Sequence, residues 1–293
     1  WDIGGDLAEA RLENSTIGIV LLGINFRTAK VEFNATDSWG SPTYSHDLSS
    51  AVRAEAIDAA ELGGVSLDIA GDEMIPHEFA SKTGQRYFVH FAGSGNVYEI
   101  TDNSGTFLYV DGADLTSETG TATIYMDRLW GAIPNSDRRY MAITVASQNT
   151  VDGWFSLGAV VIGEKVTMNA GDGSDAAYGW SRGTKIPVTV ERAVDGYTSP
   201  TVLGGPQQTL VLPMLESVEA VRPWHAEVEA LTRYLNGPGT VVGVVLDSSV
   251  SHLHKNGGLF RLTGTTTKRV NVHGAMGTLE RVKVSALSME EIL

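Results

Sequence analysis

The feature that most constrains this chain is a long succession of short apolar segments, each separated from the next by turn-forming residues. Between residues 64 and 166 the segments recur at a spacing of roughly ten residues. Asp102-Asn103-Ser104-Gly105 is one of the intervening stretches, and its residue types favour tight turns. Regular short strands joined by turns are typical of a β-sandwich or a jelly roll. The sequence therefore predicts a mainly β protein.

The first part of the chain adds two predicted strands and one predicted helix. Residues 17–22 form a continuous apolar run of the length of a buried strand. In residues 29–33 apolar and charged residues alternate, which predicts a strand with one face buried. Residues 51–62 are rich in Ala and Glu, follow Ser49-Ser50 and end at Gly63-Gly64. A serine N-cap and a glycine stop predict a helix there.

A run of small and polar residues at 169–175 predicts a domain boundary. It divides the chain into a β jelly-roll domain, residues 1–168, and a smaller domain, residues 169–293. Pro223 suits the first position of a helix, and apolar residues follow it at helical spacing at Trp224, Val228, Leu231 and Leu235. Because predicted strands lie on both sides of this helix, the smaller domain is expected to be α+β.

The chain is acidic and has no cysteine. Its 293 residues carry a formal net charge of −14, and the sequence pI is about 4.9. Nucleic acids and anionic membranes are bound by basic surfaces, so neither is an expected partner. The absence of cysteine excludes disulfides and cysteine-based zinc sites. No apolar run reaches the roughly 18–20 residues of a membrane-spanning helix.

Common catalytic motifs are absent from the sequence. There is no phosphate-binding Gly-rich loop, no dinucleotide fingerprint and no Gly-x-Ser-x-Gly elbow. His77-Glu78 begins like a zinc-protease motif, but position 81 is Ser81 instead of the second His. His225-Ala226-Glu227 resembles part of a deaminase site, which requires cysteines. We therefore expect a structural or binding protein without a cofactor, and not an enzyme.

Two weaker patterns suggest metal ions. His252 and His254 share a face if they lie on a strand, and they could bind a metal with Asp247 or His273. A solvated loop is the simpler explanation of this pair. The Asp-rich stretches at 102–105 and 172–175 carry oxygen ligands, but neither ends in the Glu of an EF-hand loop, and Asx-turns explain both. No metal site is therefore assigned.

Aromatic side chains are the candidates for contact with a ligand. Trp39, Trp130, Trp154 and Trp180 could stack on sugar rings, although tryptophans more often pack in or around a core. The 35 carboxylates make close pairs inevitable, so their number does not distinguish a glycoside hydrolase from a binding protein.

Two groups of segments carry a family likeness. The first contains the apolar strand ending at Gly23-Ile24-Asn25, residues 29–33, the turn Asp37-Ser38-Trp39, and the strands at 139–145 and 155–163. In this order the segments resemble the galactose-binding-like (discoidin-type) jelly roll found in many bacteriophage tail proteins. The second group is similar to the C-terminal half of the same tail proteins; it comprises residues 207–212, the Trp224 helix, and residues 241–247, 260–262 and 284–291. Residues 49–125 look like an insertion into the jelly roll.

The resemblance implies a virion structural protein of a tail, baseplate or adaptor region that acts through protein–protein assembly. Other tail proteins and further copies of the chain in a homo-oligomeric ring are the expected partners. The expected location is the phage tail, after synthesis in the host cytoplasm. Met289, Ile292 and Leu293 are the candidate assembly contacts near the end of the chain.

Two other functions remain open at this point. The first alternative is a carbohydrate-binding adhesin of the tail that recognises host glycans. In that case Trp39, Trp130 and Trp154 would lie exposed around one pocket. A glycoside hydrolase is the third hypothesis, and it needs two carboxylates facing each other across an aromatic cleft.

Overall fold

The computed structural model describes residues 17–69, 73–81, 85–133, 140–164, 174–176, 181–185, 188–192, 198–202, 207–216, 241–245, 257–273 and 279–292. The chain divides into two compact units. Unit 1 comprises Trp1–Val166 and Val245–Asn256, and unit 2 comprises Thr167–Val244 and Gly257–Leu293. Every regular element of the described residues is a β-strand. The prediction of a mainly β protein is therefore confirmed.

Six strands of unit 1 form two antiparallel sheets of three strands each. In the first sheet the central strand is β1 (Ile17–Leu22), which lies between β9 (Arg128–Ile133) and β11 (Ala159–Glu164). In the second sheet the central strand is β2 (Thr28–Asn34), which lies between β3 (Tyr44–Ser49) and β10 (Tyr140–Thr144).

The two sheets share one buried core. Ile19 and Leu21 of β1 belong to the same cluster as Val31 and Phe33 of β2, and all four are at most 1% exposed. In β2 the buried residues alternate with exposed or half-buried charged residues, as the sequence predicts. Burial of each side chain of this size contributes roughly 1.5–3 kcal/mol to the free energy of folding. The packing of the two sheets on each other is therefore stabilised mainly by this core.

A closed five-stranded barrel lies in the chain between β3 and β9. Its strands are β4 (Ala51–Asp68), β5 (Tyr87–Phe91), β6 (Val97–Asn103), β7 (Phe107–Asp114) and β8 (Thr121–Met126). β5, β6 and β7 follow one another as neighbours and β8 returns beside β5, which is a Greek key, while β4 closes the barrel between β7 and β8. The buried residues of the barrel core all lie between Val52 and Met126.

The chain enters and leaves the barrel at adjacent points. Ala51 pairs with Tyr125, and the backbone N–H of Met126 donates to the carbonyl oxygen of Ser50 at 3.3 Å. A domain with adjacent termini can be inserted into a loop of another domain with little disturbance of the host. The barrel covers nearly the same residues as the insertion inferred from the sequence, residues 49–125.

The outer face of the barrel packs on the rest of unit 1 through two aromatic rings. Tyr87, Val89 and Phe91 of β5 point into the barrel core, so Phe88 points outward. Phe88 stacks on Tyr125 with ring centroids 5.2 Å apart, and both are at most 1% exposed. These two rings therefore belong to a second buried layer outside the barrel.

The helix predicted at residues 51–62 is wrong. These residues form the first two thirds of β4, which pairs with β8 from Ala51 to Ala56 and with β7 from Leu62 to Ser66. Helix propensities differ by less than about 1 kcal/mol per residue, and strand pairing on both sides of the barrel outweighs them.

The alternation of β4 is not recognisable in the sequence, because its polar residues lie on the more buried face and its small apolar residues on the more exposed face. Arg53, Glu55 and Ile57 are half-buried, whereas Ala54 and Ala56 between them are exposed. Charged residues thus lie on the more buried face and alanines on the more exposed face. An alternation of this kind cannot be recognised from hydrophobicity alone.

The described residues of unit 2 form a six-stranded sheet and a separate two-stranded sheet. In the larger sheet β16 (Gln207–Glu216), β19 (Leu279–Glu291), β18 (Gly257–His273) and β17 (Val241–Val245) follow in that order, and β12 (Ser174–Ala176) and β13 (Ser181–Lys185) both pair with β16. The smaller sheet consists of β14 (Val188–Arg192) and β15 (Thr198–Val202).

The long β18–β19 hairpin is the dominant element of unit 2. It pairs from Phe260 and Glu291 to His273 and Leu279, whereas β16 covers β19 only from Lys283 onward. The pairing of β18 with β19 therefore continues past the last β16 partner, Lys283, as far as Leu279.

The expectation that the second unit is α+β is not supported, because every regular element of its described residues is a strand. The helix predicted from Pro223 onward lies outside the described residues. His252, His254 and Trp180 also lie outside them. Within the described part of the chain, no helix has the length and apolar character needed to cross a membrane.

Candidate functional site

The loop between β10 and β11, residues 145–158, carries four of the seven large apolar residues that are exposed in the described part of the chain. Val151, Trp154, Phe155 and Leu157 are 38%, 69%, 45% and 36% exposed. The other three large apolar residues that are exposed, all on the barrel, are Leu62, Ile75 and Tyr109. Single exposed apolar residues are ordinary, whereas larger exposed apolar surfaces mark contact sites, so four such residues on one loop make it a candidate. We call the four loop residues the apolar patch.

The side chain of Asn25 fixes this loop through hydrogen bonds. Its side chain is fully buried, and its amide nitrogen donates to Oδ2 of Asp152 at 2.9 Å and to the carbonyl oxygen of Trp154 at 2.7 Å. Its amide oxygen accepts from the backbone N–H of Ser156 at 2.8 Å. The backbone oxygen of Asn25 in turn accepts from the hydroxyl of Tyr125 at 3.3 Å. One buried residue thus connects the loop to the barrel.

Gln148 fixes the first part of the loop against the start of β2. Its amide oxygen accepts from the backbone N–H of Arg27 at 2.8 Å, and its amide nitrogen donates to the carbonyl oxygen of Thr28 at 2.8 Å. The Gln148 amide thus forms the two hydrogen bonds that the backbone of a neighbouring strand would otherwise make with Arg27 and Thr28.

The end of the loop is fixed by a close approach of two glycines. The backbone N–H of Gly158 donates to the carbonyl oxygen of Leu22 at 2.8 Å. Gly23 adopts a φ of +63°, and a Cβ added to it would come within 3.3 Å of the Gly158 backbone. Only glycine satisfies both demands without strain.

Phe155 adds an apolar anchor. Its ring meets the buried ring of Phe26 edge-on, with centroids 6.2 Å apart and an interplanar angle of 88°. Edge-to-face pairs of this geometry are attractive. The loop is therefore held by hydrogen bonds, glycine contacts and one aromatic pair, while Trp154 remains exposed.

A cleft of about 560 Å³ separates this loop from the barrel. Asn96, Val97 and Tyr98, at the start of β6, line one side of it, and the residues lining the other side are Gln148, Asn149, Thr150, Gly153, Trp154 and Phe155. The two sides are joined directly, because the Asn149 amide nitrogen donates to the carbonyl oxygen of Gly95 at 2.7 Å. The volume is in the range of small-molecule sites.

The cleft is uncharged at its surface and has a negative charge behind it. None of the lining side chains ionises near neutral pH. The buried carboxylate of Glu118 accepts from the hydroxyl of Ser94, from the amide nitrogen of Asn96 at 2.8 Å, and from the hydroxyl of Tyr98 at 3.3 Å. Burial, followed by the charge of Glu118, raises the pKa of Tyr98. The site is therefore unfavourable for an anion.

Among the three tryptophans predicted as candidate contacts, only Trp154 lines the cleft. Trp39 is half-buried on the turn after β2, and its indole N–H donates to Oδ1 of Asp37 at 2.9 Å. Trp130 is half-buried on β9 and packs against the barrel core, and its buried indole N–H has no partner among the described residues. The three rings therefore do not line one common pocket.

The residues predicted as assembly contacts lie at or after the end of β19. Met289 is 2% exposed and pairs with Leu210 and Leu262, so its side chain is buried within unit 2. Ile292 is half-buried, and its backbone N–H donates to the carbonyl oxygen of Leu259 at 2.8 Å. Leu293 lies outside the described residues.

The turn at residues 102–105 uses its oxygen atoms within the protein. Asp102 accepts from the backbone N–H of Asn103 and pairs with Nδ1 of His77, each at 2.8 Å. The hydrogen bond to His77 lowers the pKa of Asp102. Buried Asn103 donates to the carbonyl oxygen of Ile75 and accepts from the backbone of Phe79. No three His, Asp or Glu side chains converge as a ligand set in the described ranges.

The residues that shape the site were not recognised as site residues from the sequence. In the sequence, Asn25 is recognisable only as part of the Gly23-Ile24-Asn25 turn on which the family resemblance is based. An Asn after an apolar strand is ordinarily a turn residue, so its role as a buried hub has no distinct sequence pattern. The polar run Gln148-Asn149-Thr150 was the one available indication of a binding loop.

No family model matches the sequence, and no curated protein matches it.

Proposed function

We propose that this protein is a structural component of a bacteriophage tail, baseplate or adaptor region, and that it acts by binding neighbouring proteins. The single observation that carries the proposal is the apolar patch on a loop that is already fixed in the free chain. The sequence resemblance supports the tail setting. The galactose-binding-like jelly roll is part of the same proposal, with the barrel as its insertion.

A loop that is ordered before binding suits an assembly role. Ordering a flexible loop at an interface costs conformational entropy, roughly 1–2 kcal/mol per residue of backbone. In this loop Asn25, Gln148 and Gly158 already hold the backbone. Burial of the apolar patch in a partner would therefore contribute to affinity with little loss to ordering.

The charge of the chain indicates what the partner surface contributes. With a formal net charge of −14, copies of this chain repel one another as their surfaces approach. A ring of identical copies therefore needs an apolar contact at short range, and a different tail protein would bind more strongly if its facing surface were basic. The apolar patch meets the first requirement.

The test is a mass measurement in solution by light scattering, on the chain alone and mixed with the neighbouring particle proteins. We expect association, and we expect L157K to weaken it by at least about tenfold, since a lysine in an apolar contact costs more than 1.4 kcal/mol. L62K is the matched control, because Leu62 is 70% exposed on the barrel and outside the patch. A strictly monomeric chain without affinity for those proteins would overturn the proposal.

A second candidate function is the carbohydrate-binding adhesin, and the cleft beside Trp154 specifically favours it. An exposed indole next to several amide side chains is a combination that recognises sugars, because sugars offer both C–H faces and hydroxyl groups. The glycoside hydrolase has no such support, since no ionisable carboxylate lines the cleft.

A further inference from the structure

The cleft between the start of β6 and the loop at residues 145–158 has the composition of a subsite for one class of ligand. We propose that it binds a neutral pyranose unit of a glycan, with the sugar ring stacked on the indole of Trp154. This inference rests on the second candidate function and names the ligand class and the residues that would recognise it.

The backbone that carries the indole of Trp154 is fixed by hydrogen bonds. Trp154 is 69% exposed, and its backbone carbonyl oxygen accepts two hydrogen bonds, from the Asn25 amide at 2.7 Å and from the Thr150 hydroxyl at 3.0 Å. The negative face of an aromatic ring attracts the weakly positive C–H face of a pyranose. Ligand binding therefore has to order the ring alone and not the backbone that carries it.

A hydrogen-bond acceptor for a sugar hydroxyl lies in the same cleft as this indole. Asn96 and Asn149 each use the amide nitrogen within the protein, on Glu118 and on the carbonyl oxygen of Gly95. Among the described residues no donor reaches the amide oxygen of Asn149, whereas Asn96 also forms a side-chain hydrogen bond with Tyr98. The bonds to nitrogen also fix which way each amide faces. The amide oxygen of Asn149 is therefore an oriented acceptor for an O–H donor of the sugar.

The charges around the cleft select against acidic sugars. No basic side chain lines it, and Glu118 lies buried behind the β6 side. A carboxylate or sulfate on the ligand would meet negative potential without a cationic partner. The preference is therefore for neutral hexose or N-acetylhexosamine units over uronic or sialic acids.

The experiment is a glycan array with neutral and anionic oligosaccharides, followed by titration calorimetry of the full chain with the best neutral glycan. We expect neutral glycans to bind, and we expect W154A to weaken the binding by about tenfold or more, because the stacked apolar area is lost. W154F keeps a smaller ring and should fall between the two. W39A is the matched control, since Trp39 is a tryptophan of the same unit outside the cleft.

Each other outcome decides against the proposal. Absence of glycan binding by the wild type, binding of anionic glycans alone, or equal affinity of W154A and wild type would overturn it. Circular dichroism of W154A checks that the variant is folded, and W154F gives an independent comparison if it is not. The assembly proposal fails separately: glycan binding at Trp154 by a chain that stays monomeric and binds no particle protein would overturn that proposal alone.

Discussion

Replacing Asn25 by Asp tests whether one buried amide holds the functional loop. The change keeps the size of the side chain and keeps an oxygen for the backbone N–H of Ser156. It removes both N–H donors, which in the wild type reach Asp152 at 2.9 Å and the carbonyl oxygen of Trp154 at 2.7 Å. It also places a second carboxylate oxygen where Asp152 now receives a hydrogen bond.

The expected loss of stability follows from these contacts. A hydrogen bond to a charged acceptor contributes about 1.5–3 kcal/mol, and one to a backbone carbonyl about 1 kcal/mol. Repulsion between two carboxylates adds to this, although the loop can move outward to relieve part of it. We expect N25D to lower the free energy of unfolding of unit 1 by about 3–5 kcal/mol at pH 7. We expect N25A, which introduces no charge, to lower it by about 3 kcal/mol.

The pH dependence separates the two variants. In the folded N25D protein, burial and the nearby Asp152 raise the pKa of the introduced carboxyl above its unfolded value. Such a group stabilises the fold below its unfolded pKa, and this contribution is lost as the pH rises through the folded pKa. The deficit of N25D relative to wild type should therefore shrink as the pH falls from about 7 to about 4, whereas the deficit of N25A should change little.

Urea unfolding followed by near-UV circular dichroism measures the stability, and hydrogen exchange of residues 150–158 measures the order of the loop. The double variant N25D/D152N is the matched control, because it restores one hydrogen bond with the donor and acceptor exchanged. It should recover part of the lost stability and of the exchange protection. Wild-type stability of N25D at pH 7, or a deficit that neither acid nor D152N reduces, would refute the reasoning.

The strands could be predicted where their two faces differ in chemistry. β2 alternates Ala29, Val31 and Phe33 with charged residues, and its burial follows that pattern. β4 could not be predicted, because its half-buried face carries Arg53 and Glu55. Closure of the barrel, which gives β4 a partner on each side, is a long-range property that no local window contains.

The site was predictable only in part, because its exposed aromatic residue can be recognised from the sequence by residue type, whereas its buried supporting residue cannot. Trp154 is conspicuous as a residue type, but Trp39 and Trp130 are equally conspicuous and lie outside the cleft. What distinguishes Trp154 is the support beneath it. That support comes from Asn25, which is separated from the loop by 129 positions in the chain. Sequence patterns do not show contacts over such separations.

Three further predictions concern unit 1. Burial and, next, the charge of Arg27 lower the pKa of His90. The stabilising contribution of neutral His90 is therefore lost as the pH falls. H90Q should flatten the decline in the free energy of unfolding between about pH 7 and pH 5, measured by urea unfolding. Burial raises the pKa of Asp127. The stabilising contribution of the protonated carboxyl is therefore lost as the pH rises. The stability of D127N relative to wild type should increase between about pH 3 and pH 7, measured by thermal unfolding. Finally, residues 50–127 expressed alone should fold, because every buried residue of the barrel core lies between Val52 and Met126 and the ends of the segment meet. Cooperative unfolding and dispersed amide resonances would be the expected result. The fragment should be less stable than unit 1, since it exposes the Phe88–Tyr125 pair that the rest of the unit covers. An unfolded fragment would mean that the barrel depends on its host for more than this aromatic layer.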